Sequence, residues 1–67
     1  MPIIDVSLSP GRTPDQLRAL ACELTSATTR ALGVSEDRVR VLLREVPDTH
    51  WATGGVTTAD AKAAGTH

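Results

Sequence analysis

The sequence predicts an α/β chain. It reads as a single β-α-β unit with parallel strands and a short C-terminal hairpin, joining a second copy into a larger sheet. Three observations predict this. Apolar and polar residues alternate near the amino terminus and again from residue 38. Between those stretches, apolar residues recur at helical spacing. A chain of 67 residues is one domain, and at this size a lone core is marginal.

Residues 2–8 read Pro-Ile-Ile-Asp-Val-Ser-Leu. Ile4, Val6 and Leu8 fall on one face and Ile3, Asp5 and Ser7 on the other, the pattern of a half-buried strand. Pro2 shares the parity of the apolar set, and proline at the first position of a strand costs no needed ladder bond. Ser9-Pro10-Gly11-Arg12 is a turn by composition. Thr13 then serves as an N-cap, Pro14 stands at N1, Asp15 faces the positive helix end and Gln16 completes a capping box. Leu17, Leu20, Ala21, Leu24, Thr28, Ala31 and Leu32 form one stripe, and Gly33 supplies a left-handed C-cap. The helix is therefore expected from Pro14 to Leu32.

Ser35-Glu36-Asp37 leads into a second strand over residues 38–46. Val39, Val41 and Leu43 form one face; Arg38, Arg40, Leu42 and Arg44 form the other. Two strands joined by a helix make a right-handed crossover, so the pair is parallel. One helix covers one face of so small a sheet, and the face carrying Leu42 needs another subunit. Residues 47–55 read as an exposed loop or short hairpin. Residues 57–67 are small and polar, and read as a loosely ordered tail.

Cys22 is the only cysteine, which excludes an internal disulfide. One Cys and two His, far apart in sequence, offer no zinc spacing, so no metal is expected. Self-association remains as the staple for a small scaffold. Seven basic against eight acidic residues leave no basic stripe for nucleic acid. No apolar run approaches the roughly 20 residues that span a bilayer. The amino terminus lacks the basic and apolar regions of a signal peptide. A free cysteine without such a signal fits a reducing, cytoplasmic setting.

Five pieces now stand in order: Met-Pro-Ile-Ile at the start; Gly11-Arg12 before the capped helix; Val39-Arg40-Val41; Glu45-Val46-Pro47; and His50-Trp51 with Gly54-Gly55. Each alone is weak, but together, in register over residues 2–56, they resemble the 4-oxalocrotonate tautomerase family. The resemblance implies a homohexamer built as a trimer of dimers, with no cofactor. It implies a free amino-terminal proline, exposed by removal of Met1, moving a proton between an enol and its keto isomer. By position, Pro2 matches that proline. Arg12 and Arg40 match the arginines that bind a substrate carboxylate and stabilise enolate charge. Trp51, the one aromatic residue here, matches the aromatic that keeps the pocket apolar. Ala52-Thr53 replaces the more usual Gly-Ile pair, and the residues after Val56 have no clear counterpart.

The chemistry suits these residue types. A base working beside a carbonyl needs a pKa near neutrality, and a free α-amine starts at about 7.7–8.0. Nearby cations and an apolar wall favour its neutral form and lower that value. Arginine's planar fork pairs with a carboxylate and keeps its charge. A small carboxylate is the expected substrate, such as an unsaturated 2-hydroxy acid. Trp51 lines the pocket, packs at an interface, or does both. Arg38 reads as a solvated or salt-bridged charge, with a second carboxylate as the alternative. Ser9 stands beside the expected pocket. A dehalogenase or hydratase on the same scaffold would need a carboxylate to activate water, and the segments around Ser9 and Ala52-Thr53 offer none. A non-catalytic subunit that keeps Met1 is the third reading.

Overall fold

A computed structural model describes residues 1–65. Its elements are β1 (Ile3–Leu8), α1 (Pro14–Leu32), a 3-10 turn at Glu36–Arg38, β2 (Arg40–Glu45) and a second 3-10 turn at Asp48–His50. Then come β3 (Ala52–Thr53), β4 (Val56–Thr57) and α2 (Thr58–Ala63). Strands β1 and β2 pair in parallel, from Ile3 opposite Arg40 to Leu8 opposite Glu45. This register keeps the two alternating patterns in phase. Ile4, Val6, Leu8, Val41 and Leu43 are half-buried, and α1 packs on β2. Ile3, Asp5, Ser7, Arg40, Leu42 and Arg44 share the open face.

Helix α1 begins and ends where its caps dictate. Thr13 Oγ1 accepts from the Gln16 N–H at 3.1 Å, and Gln16 Oε1 accepts from the Thr13 N–H at 3.0 Å. Gly33 turns left-handed at φ 70 and donates its N–H to the Thr29 carbonyl at 2.9 Å. Thr13→Ala is expected to cost about 1 kcal/mol, read as a lower midpoint in a thermal melt. The half-buried stripe stops short of its expected length. Leu17, Leu20, Ala21, Leu24 and Thr28 are partly covered, but Ala31 and Leu32 are exposed. Val34, just past the C-cap, is half-buried instead. Cys22 is free and exposed.

Two further expectations change. The second strand starts at Arg40 rather than Arg38, because Arg38 closes the first 3-10 turn by donating its N–H to the Ser35 carbonyl at 3.1 Å. A backbone donor spent in a local turn is lost to a sheet ladder, so Arg38 does not share the strand face of Arg40. The stretch expected as a loose tail from residue 57 is ordered as far as it is described; its last two residues lie outside the described ones. Thr57 caps α2, its Oγ1 accepting from the Asp60 N–H at 3.1 Å. Lys62 Nζ reaches Asp48 Oδ2 at 2.9 Å and ties α2 to the second 3-10 turn. Upstream of α2, Thr53 pairs with Val56 across Gly54 and Gly55 at φ 60 and 84, a two-residue hairpin turn that glycine makes without strain.

The chain is extended. Its radius of gyration is 15.5 Å, where a compact chain of this length measures about 11 Å. It exposes 4939 Å², where a monomer of its mass exposes about 4,100 Å². Among the described residues, only Val39 counts as buried. Ile3 and Leu42 on the open face are 64% and 44% exposed. Among the described residues, no helix is long and apolar enough to cross a membrane.

Candidate active site

Parallel pairing brings the start of β1 beside the start of β2. The Pro2 carbonyl accepts from the Arg40 N–H at 3.0 Å, so the main chains of these two residues are held together. Pro2 is half-buried, and Met1 before it is 74% exposed. While Met1 is attached, the Pro2 nitrogen is an amide without a basic lone pair. Val39, the buried residue, precedes Arg40 and anchors this end of the sheet. The alternation carries the Arg40 side chain onto the open face with Ile3. There, Arg40 Nη1 donates to the Asp37 carbonyl at 3.1 Å.

Arg12 stands at the other end. It follows Gly11, whose φ of 109 turns the chain out of β1 toward α1. Strand β1 alone spans about 20 Å over its six residues. Arg12 and Pro2 of one chain therefore lie too far apart to grip one small substrate. Ser9, half-buried, sits at the Arg12 end directly after β1. The chain leaves β2 at this same end, where the Val46 N–H donates to the Leu8 carbonyl at 2.9 Å, and Trp51 follows the second 3-10 turn. The Trp51 carbonyl accepts from the Thr58 N–H at 2.7 Å and from Thr58 Oγ1 at 3.3 Å. Helix α2 thus anchors the backbone of the aromatic residue. Sequence reading missed this, though Thr57-Thr58-Ala59-Asp60 carries a capping signature that marks a helix start.

Among the described residues, the arginines divide by partner. Arg44 Nε and Nη2 meet the two carboxylate oxygens of Asp5 at 3.0 and 3.4 Å. The hydrogen bond to Asp5, and then its charge, push the Arg44 guanidinium above its ordinary pKa. Arg18 pairs with Asp15 on the exposed side of α1. Arg12 and Arg40, like Arg30 and Arg38, meet no carboxylate among the described residues. Arg12 and Arg40 thus keep charge to offer an anion, one at each end of the β1–β2 sheet. Arg38 is exposed in its 3-10 turn.

The profile of the tautomerase enzyme family matches residues 2–61, past Val56 and into α2. Residues 57–61 therefore do have a family counterpart. A probable tautomerase of Ralstonia nicotianae is 44% identical over 62 residues, covering 92% of this chain and 89% of the relative. Among solved structures, TomN, a 4-oxalocrotonate tautomerase homologue in the tomaymycin biosynthetic pathway, superposes with a TM-score of 0.87 at 39% identity. It covers 92% of this chain and 95% of its own. A heterohexamer 4-oxalocrotonate tautomerase from Chloroflexus aurantiacus superposes with a TM-score of 0.83 at 35% identity, covering 90% and 97%. Alike in sequence, strand pairing and backbone over nearly its whole length, the chain belongs to the 4-oxalocrotonate tautomerase family.

Proposed function

We propose that the chain is an isomerase that interconverts the enol and keto forms of a small unsaturated 2-hydroxy or 2-oxo acid. The free amine of Pro2 takes a proton from one position of the substrate and returns it at another, so no atom is gained or lost. The observation that carries this reading is the backbone bond between Pro2 and Arg40. It holds the main chain of Pro2 against that of Arg40, whose guanidinium meets no carboxylate among the described residues and so keeps positive charge to offer a forming enolate. Arg12 holds a carboxylate of the substrate, and Trp51 keeps water from the reacting carbons. Ser9 borders the site. No cofactor enters the reaction.

The length of β1 sets the quaternary requirement. A site that holds Pro2 and Arg12 together draws them from different copies. The open face with exposed Ile3 and Leu42, together with the extended shape, supports such an assembly. A homohexamer, a trimer of dimers, is the form proposed. Light scattering is expected to give a mass near six times 7.1 kDa. A stable monomer at micromolar concentration would overturn the shared site.

The test of the activity is the ketonisation of 2-hydroxymuconate, or of the enol of phenylpyruvate, followed by absorbance with protein shown by intact mass to lack Met1. Acceleration over buffer is expected. No acceleration of either acid, in a preparation of the right mass and assembly, would overturn the reading.

A further inference from the structure

The 3-10 turn before β2 has a feature that the proposed reaction does not by itself require. Ser35 Oγ donates to Asp37 Oδ1 at 2.6 Å. The Arg38 and Val39 N–H groups, each at 3.1 Å, donate to the carbonyls of Ser35 and Glu36. The carbonyl of Asp37, at the middle of this turn, accepts from Arg40 Nη1 at 3.1 Å. The turn is anchored on one side by buried Val39 and on the other by the C-cap of α1 at Gly33. Ser35, Asp37 and Arg40 are all exposed, so no packing holds the guanidinium in place.

From this geometry we infer that Ser35 and Asp37 form a clamp that orients the Arg40 guanidinium, making them positioning residues for the reaction proposed above. The serine hydroxyl holds the Asp37 side chain and with it the turn. The turn aims the Asp37 carbonyl at one N–H of Arg40. A guanidinium has five N–H donors, so fixing one leaves four for a substrate oxygen. An exposed arginine otherwise samples many rotamers and loses that freedom when it binds. A neutral carbonyl suits the task, because a carboxylate in its place would neutralise the charge that the enolate needs. The contact therefore orients the cation without quenching it.

This inference rests on the role given to Arg40, and the experiment separates the two. The Ser35→Ala, Ser35→Thr and Arg40→Ala variants and the Ser35→Ala/Arg40→Ala double variant are compared in turnover of 2-hydroxymuconate. Rotation of the Arg40 guanidinium about its Nε–Cζ bond is measured by nitrogen-15 NMR, the signal being assigned by its loss in Arg40→Lys. Ser35→Ala is expected to speed that rotation and lower kcat roughly two- to tenfold, the share of one net hydrogen bond. Ser35→Thr, which keeps the hydroxyl, should restore both. Within the Arg40→Ala background, the Ser35 change should cost nothing more, since the group it orients is gone. Unchanged rotation in Ser35→Ala overturns the clamp. So does a Ser35 penalty that persists in the double variant, because the serine would then act on the fold. If Arg40→Ala leaves turnover intact, the catalytic role of Arg40 fails, and the rotation measurement still decides whether the clamp exists.

Discussion

Chains that keep Met1 are expected to lose turnover by about 10²–10⁴-fold, the usual share of a general base. The reason is one bond: an acylated proline nitrogen has no lone pair to accept a proton, whereas the free secondary amine does. Protein of both kinds can be prepared and sorted by intact mass, then compared on the same enol acid. In the processed chain, the rate should rise with pH through a value below the 7.7–8.0 or so of an ordinary α-amine. The sign follows from the chemistry. In the site proposed above, arginines gathered around the amine would disfavour its protonated form, so the active, neutral form would appear at lower pH. Pro2→Ala leaves a primary amine of similar basicity but greater freedom, and activity should fall without vanishing. A mass-verified Met1-retaining preparation, free of processed chains, that matches the processed rate would rule out the mechanism.

Arg40→Ala should produce the next largest effect, a fall in kcat of about 10²–10³-fold, the usual loss when a preorganised donor to a developing oxyanion is removed. Arg12→Ala should instead raise KM with kcat little changed, because a group that holds a remote carboxylate binds substrate and transition state alike. Steady-state kinetics on the two variants separates these roles. Equal and small effects would mean that neither arginine lines the site. The geometry adds a sharper form of the test. Pro2 and Arg12 of one chain stand at opposite ends of β1. Mixing Met1-retaining chains with Arg12→Ala chains and allowing reassembly should therefore restore some turnover when substrate is kept well below the raised KM of Arg12→Ala, at sites where an intact residue of each kind meets.

The β1–β2 frame and the first helix were legible because their signals are local and periodic. The alternation of Ile3–Leu8 and the Thr13–Gln16 capping box each require only neighbours in sequence, and the structure reproduces both. The same alternation sets which face each strand residue takes, since a slip by one residue would turn Leu43 outward, but a slip by two keeps every face, so the pairing of Ile3 with Arg40 was not legible. The two 3-10 turns were not legible. Each is three residues held by i to i+3 bonds, too short to show a period, and the first displaced Arg38 from the strand. Helix α2 hid for another reason. Thr58–Ala63 is rich in small residues with no apolar stripe, and its tie to the fold, Lys62 on Asp48, joins residues far apart in sequence. Of the candidate site, residue types and order could be read from the sequence. That Arg40 stands at the Pro2 end of β1, and not at the Arg12 end, follows only once the parallel pairing is granted. The hold of Asp37 on Arg40 is a matter of atoms, and no pattern of residue types announces it.

A chain with Val39 as the one buried side chain among its described residues owns almost no interior. In the proposed assembly, that interior is communal, made where copies meet, and stability becomes a quantity with concentration in it. Dilution then acts as a denaturant, because separating the copies removes the surroundings that make each one fold. Symmetry adds a multiplier. A change at Leu42 or Ile3 is written once in the gene and felt at every equivalent contact of the particle. Selection on such a face is therefore collective: a neutral substitution must be tolerable to the chain that carries it and to every identical neighbour pressed against it.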